Sequence, residues 1–111
     1  MTRDQQFEII SKVDASLTSW AEANSYSLHL IDHSIGFGDD FSMDVWFFFD
    51  TDAINTEYSE RGITDQFSAK YAALLKDRDY DEGWLAKISY FFDSHENVER
   101  NYEGSYFYRL R

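Results

Sequence analysis

The stretch Phe41-Ser42-Met43-Asp44-Val45-Trp46-Phe47-Phe48-Phe49-Asp50 changes character at every second residue. Phe41, Met43, Val45, Phe47 and Phe49 fall on one side, and Ser42, Asp44, Trp46, Phe48 and Asp50 on the other. Successive side chains of a strand point to opposite faces, so five apolar residues on one side predict a strand laid against a core. Upstream, Tyr26, Leu28 and Leu30 alternate with Ser27, His29 and Ile31. The glycine-containing segment 34–40 between the two runs predicts a reversal, and hence an antiparallel pair.

Helical periodicity flanks this pair. Phe7, Ile10, Val13, Leu17 and Trp20 recur at spacings of three and four, predicting a helix over 4–23 capped by Thr2 or Asp4. Phe67, Tyr71, Leu74 and Leu75 predict a second helix over 64–77, with Thr64 as N-cap. Residues 50–61 read as an acidic connection, and 81–86 as one short turn. A third strand is expected over 88–92, then a short helix capped by Ser94 and stopped by Gly104. Tyr106, Tyr108 and Leu110 alternate with Phe107 and Arg109, predicting a fourth strand over 105–110. The order α-β-β-α-β-(α)-β implies an α+β fold. The expected form is a single two-layer domain over 1–111, with two main helices on a four-stranded, largely antiparallel sheet.

Composition agrees with a folded chain and removes several functional classes. The 111 residues hold 21 acids against 10 Lys and Arg, a formal net charge of −11, together with 10 Phe, 8 Tyr and 3 Trp. Acidic disordered chains lack such rings and cannot offset the entropy of ordering. Without cysteine there is no disulfide, thiolate metal site or Cys nucleophile. No apolar run approaches the roughly 18 residues of a membrane span. The first six residues are polar, so a cytoplasmic location is expected. Strong negative charge repels phosphate backbones and anionic lipid, so direct nucleic-acid or membrane binding is not expected; it favours a basic partner.

Carboxylates raise the question of catalysis or metal binding. Asp50-Thr51-Asp52 and Asp77-Arg78-Asp79-Tyr80-Asp81 both resemble pieces of an oxygen-ligand cation site. The second has acids at positions 1, 3 and 5 of a calcium loop, but Gly83 comes one place late and Ile88 stands where a bidentate Glu is needed. A solvated acidic loop is the plainer reading. His29 and His33 on one strand lie about 13 Å apart, too far to share an ion, and His95 reads as an exposed first-turn residue. Gly36-Phe37-Gly38 is followed by Asp39-Asp40, which would repel phosphate. No catalytic residue, metal site or cofactor is therefore expected, and the chain does not read as an enzyme.

Charge is unevenly placed. Residues 26–60 hold eight acids (Asp32, Asp39, Asp40, Asp44, Asp50, Asp52, Glu57 and Glu60) and no Lys or Arg. Self-repulsion on this scale opposes compaction, and solubility alone does not require it. Trp46 and Phe48 lie opposite the core side of their strand. They either reach solvent beside Asp44 and Asp50, as interface rings do, or pack beneath the C-terminal segment.

The last twenty residues, Phe92-Asp93-Ser94-His95-Glu96-Asn97-Val98-Glu99-Arg100-Asn101-Tyr102-Glu103-Gly104-Ser105-Tyr106-Phe107-Tyr108-Arg109-Leu110-Arg111, resemble the ending of small acidic bacterial immunity proteins. These accompany polymorphic toxins, including those of contact-dependent growth inhibition. The resemblance implies a cognate basic protein toxin as partner, a basic nuclease in the first place and a ribonuclease among these. Carboxylates would then occupy the places of substrate phosphates. The residues expected at the contact are Asp39, Asp40, Asp44, Asp50, Asp52, Glu57 and Glu60, with Trp46 as ring anchor; the C-terminal aromatic strand is the other candidate face. Two further readings stand beside this one: a general anionic module regulating a basic protein, and a small carboxylate-based hydrolase.

Overall fold

Met43–Phe49 is the central strand of the sheet, and its Val45, Phe47 and Phe49 are fully buried. The computed structural model describes residues 1–36 and 41–110. In chain order it contains α1 (Arg3–Ala23), β1 (Leu30–Ile35), β2 (Met43–Phe49), α2 (Asp52–Glu60) and α3 (Ile63–Asp77). These are followed by α4 (Glu82–Leu85), β3 (Ile88–Ser94), α5 (His95–Asn101) and α6 (Tyr106–Arg109). The fold is α+β. β1 pairs antiparallel with β2, Leu30 opposite Phe48 and Ile35 opposite Met43. The end of the reversal between them, 37–40, lies outside the described residues.

The sheet has three strands in the order β1-β2-β3, and β3 runs parallel to β2. This corrects the four-stranded, largely antiparallel expectation in two ways. Parallel neighbours need a long crossover, usually helical, and the segment read as an acidic connection supplies part of one as α2. Thr51 caps α2 by accepting from the Ile54 N–H at 3.1 Å, and Tyr58 is its one buried residue. The expected fourth strand is instead α6, a single turn whose N-cap Ser105 accepts from the Tyr108 N–H at 3.2 Å. Over four residues, strand and helix patterns are indistinguishable, and the cap decides.

α1 and α3 cover the side of the sheet that carries Val45, Phe47 and Phe49. Phe67 of α3 meets Phe47 and Phe49 edge-on at 5.5 and 5.2 Å, and Trp20 of α1 meets Phe67 at 5.1 Å. Truncating Phe47 to Ala would cost about 3–5 kcal/mol through lost transfer energy and the cavity left behind.

α1 differs in detail from the expected face. Thr2 caps it, in a reciprocal box with Gln5. Gln6 and Ala21 are buried with Ile10, Val13 and Leu17, whereas Phe7 is half exposed. Gln6 is admitted to the core because its Nε2 donates to the Tyr80 hydroxyl at 2.9 Å. α3 starts one residue before the expected cap: Gly62, at φ 73°, is its N-cap, and Thr64 is buried within the first turn. That left-handed conformation is one a side chain rarely adopts.

Candidate partner-binding surface

The second side of the sheet follows from the strand registers. Asp44 stands between Ser34 and Ser89, Trp46 between Asp32 and Phe91, and Phe48 between Leu30 and Asp93. The C-terminal segment covers the Phe48 end of this surface. Tyr106 of α6 meets Phe48 edge-on at 4.7 Å, and Phe48 is fully buried. Trp46 stacks on Phe91 at 4.7 Å and is covered by the Arg109 guanidinium, 4.5 Å from its ring. Of the two alternatives for these rings, packing beneath the C-terminal segment is what occurs for Phe48, while Trp46 is partly covered. Phe91, 38% exposed, reaches solvent from β3, and Phe107 and Tyr108 of α6 are more exposed still.

Arg109 is held on three sides. Its Nε donates to Asp93 Oδ2 at 2.5 Å, and Tyr102 lies 5.3 Å away on a second ring face. Asp93 is buried and also accepts from the Ser94 N–H and from Asn97 Nδ2. A buried carboxylate with a cation and several donors is satisfied in place.

Among the described residues, the expected contact acids fall at separate places. Asp50 is exposed, accepts from the Ser27 hydroxyl and lies 3.3 Å from His29 Nδ1. Asp52 opens α2, where the helix dipole favours negative charge. The Ser94 hydroxyl and then the Arg100 guanidinium, at 2.6 Å, hold its carboxyl below the usual carboxylate range. Glu57 pairs with Arg61 at 3.3 Å along α2. Asp44 and Glu60 carry no ion pair among the described residues. Asp39 and Asp40 lie outside the described residues. Asp44 therefore shares the second sheet side with Trp46, Asp50 and Asp52 sit where β2 meets α5, and Glu60 belongs to a separate groove.

That groove, about 600 Å³, runs between α2 and β3. Asn55, Thr56, Ser59 and Glu60 line one wall, with Thr64 at the start of α3; Tyr90, Phe91 and Phe92 line the other. It sets Glu60 opposite Tyr90 and Phe92, while the Phe91 ring stacks on Trp46 at the second side of the sheet. Sequence reasoning singled out Glu60 but missed Phe91, whose exposure depends on β3 being an edge strand.

Two histidine clusters bear on chemistry. His29 and His95 stack at 3.9 Å between centroids. His95 Nδ1 lies 2.5 Å from the Tyr106 hydroxyl and Nε2 2.8 Å from Glu99, so His95 is half-buried and engaged, not a free first-turn residue. On the other side of the sheet, the Tyr71 hydroxyl donates to Asp14 Oδ1 at 2.6 Å, with His33 Nε2 3.2 Å from the same carboxylate. Burial, with Asp14 beside it, pushes the Tyr71 phenol up, so it remains a protonated donor joining α1 and α3. Among the described residues no group of three His, Cys, Asp or Glu is placed to hold a metal ion. Asp81, in the calcium-like run, serves instead as N-cap of α4.

Among the described residues no helix is long and apolar enough to cross a membrane. No family model matches the chain, and neither a curated protein nor a solved structure matches it.

Proposed function

We propose that the chain is an immunity-type inhibitor that binds a basic protein toxin in the bacterial cytoplasm and covers its active site. The observation that carries this reading is that carboxylates without an ion pair among the described residues lie near accessible aromatic surface. Asp44 lies beside Trp46 and Phe91, and Glu60 lines a groove with Tyr90 and Phe92. A net charge of −11 adds long-range attraction for a cationic surface. Rings supply desolvated anchors and carboxylates supply steering and pairing with Arg or Lys.

A nuclease fits this chemistry best, and a ribonuclease foremost. Its cleft must be cationic to hold phosphates, and carboxylates can occupy the same positions without being cleaved. Steered association would approach ~10⁸ M⁻¹s⁻¹ at low salt and slow as salt screens it.

Co-expression with the toxin domain encoded beside this chain tests the reading. A stable complex without toxin activity is expected. If no complex survives purification at low salt, the proposal fails.

A further inference from the structure

We propose that the open edge of β3 accepts an extended, lysine- or arginine-bearing segment of the partner as a fourth strand. The proposal deepens the reading of this chain as a binder of a basic protein and rests on it for the identity of the partner.

The backbone of β3 shows which groups are available. The Met43 N–H donates to the Lys87 carbonyl at 3.3 Å, which sets the parity of the parallel ladder. Alternation along the strand then turns residues 89, 91 and 93 toward β2 and residues 88, 90, 92 and 94 outward. The outward N–H of Ser94 is closed by its neighbour's carboxylate, Asp93 Oδ1, at 2.8 Å. Those of Tyr90 and Phe92 make no hydrogen bond among the described residues. An edge of this kind is a template for another strand unless something covers it.

β1, the other edge, also has one outward N–H closed. Its outward His33 N–H is taken by Asp32 Oδ1 at 2.8 Å. β3 differs from it in having the groove of about 600 Å³ along it, with Asn55, Thr56, Ser59 and Glu60 facing Tyr90 and Phe92. Main-chain bonds to Tyr90 and Phe92 would give affinity, and side chains on alternate positions would give selectivity. One set would meet Glu60 and the α2 hydroxyls; the other would lie beside exposed Phe91. Glu60, with no ion pair among the described residues, selects a basic residue in the first set. A second copy of this chain is disfavoured as occupant, because each copy carries a charge of −11.

The test uses the full chain, amide-resolved hydrogen exchange and a short peptide alternating lysine with valine, independently of any toxin. The Tyr90 and Phe92 amides should exchange fast in the free protein and become protected as peptide is added. The same peptide N-methylated on alternate residues should give no protection, and Glu60→Gln should weaken binding about two- to five-fold at low salt. Unchanged exchange at Tyr90 and Phe92 at saturating peptide overturns the proposal. So does protection that rises with protein concentration without peptide, which would assign the edge to self-pairing. Failure to co-purify a toxin would remove the proposed function and leave the peptide result standing.

Discussion

The guanidinium of Arg109 lies 4.5 Å above the ring of Trp46. This contact fastens α6 to the second side of the sheet, because the same Arg109 donates to buried Asp93. Arg109→Ala removes the stacking and leaves the carboxylate without its cation, although Ser94 and Asn97 still donate to it. A stability loss of about 1–3 kcal/mol is expected in urea unfolding, below the cost of breaking a fully buried pair. Tryptophan emission should shift to the red as Trp46 becomes wetter. Arg109→Lys should recover only part of both effects, since an ammonium lacks the planar fork that stacks and donates together. Loss of stability without any change in emission would place Trp46 elsewhere.

Asp52 supplies an acid-side dependence. Its carboxyl is held low by Ser94 and Arg100, so the folded state binds a proton less readily than the unfolded chain. The stabilisation is therefore present above the ordinary value of 3.8 and is lost as pH falls through the lower folded value. Asp52→Asn should be destabilised at neutral pH, and the difference from the parent should close as both are taken to about pH 2. A gap that stays constant with pH would mean that the charge of Asp52 contributes nothing.

Tyrosines supply the alkaline arm. Burial pushes Tyr90 up to about 12 and raises Tyr71 and Tyr80 as well. A raised folded value means stability is full below the unfolded value of about 10 and declines as pH rises toward the folded one. Absorbance at 295 nm should show these phenols ionising only with unfolding. Tyr71→Phe should lose about 1–2 kcal/mol at neutral pH with the hydrogen bond to Asp14, and should show a shallower alkaline decline. Early, non-cooperative ionisation of all eight tyrosines would contradict this.

The legible parts of the fold are those whose pattern runs longer than one turn. The alternation of 41–50 and the spacing of Ile10, Val13 and Leu17 are repeated often enough to exclude other periods. α2 was hidden because Tyr58 is its single buried residue, leaving no apolar stripe to read. With α2 unseen, the crossover that makes β3 parallel was unseen too. Likewise, the covering of Phe48 depends on Tyr106, which is 58 residues away and whose helix is one turn long. Among the contact acids, residue type was readable but internal neutralisation was not: Asp52 meets Arg100 only once α2 and α5 are in place.

That neutralisation orders the acids by their effect on partner capture. Asp44 and Glu60 have no ion pair among the described residues, whereas Asp52 and Glu57 sit beside Arg100 and Arg61. A carboxylate beside a cation projects little field beyond a Debye length of about 8 Å at physiological salt. Charge reversal of Asp44 or Glu60 to Lys should therefore slow association with a basic toxin about ten-fold at low salt, with a smaller effect on dissociation. Glu57→Lys should slow it less. The differences should shrink as salt rises, because screening removes the steering common to all three variants. Stopped-flow association at two salt concentrations reads these rates directly. Equal slowing by all three variants would mean that net charge alone governs capture, and unchanged rates at Asp44 and Glu60 would move the interface off this surface.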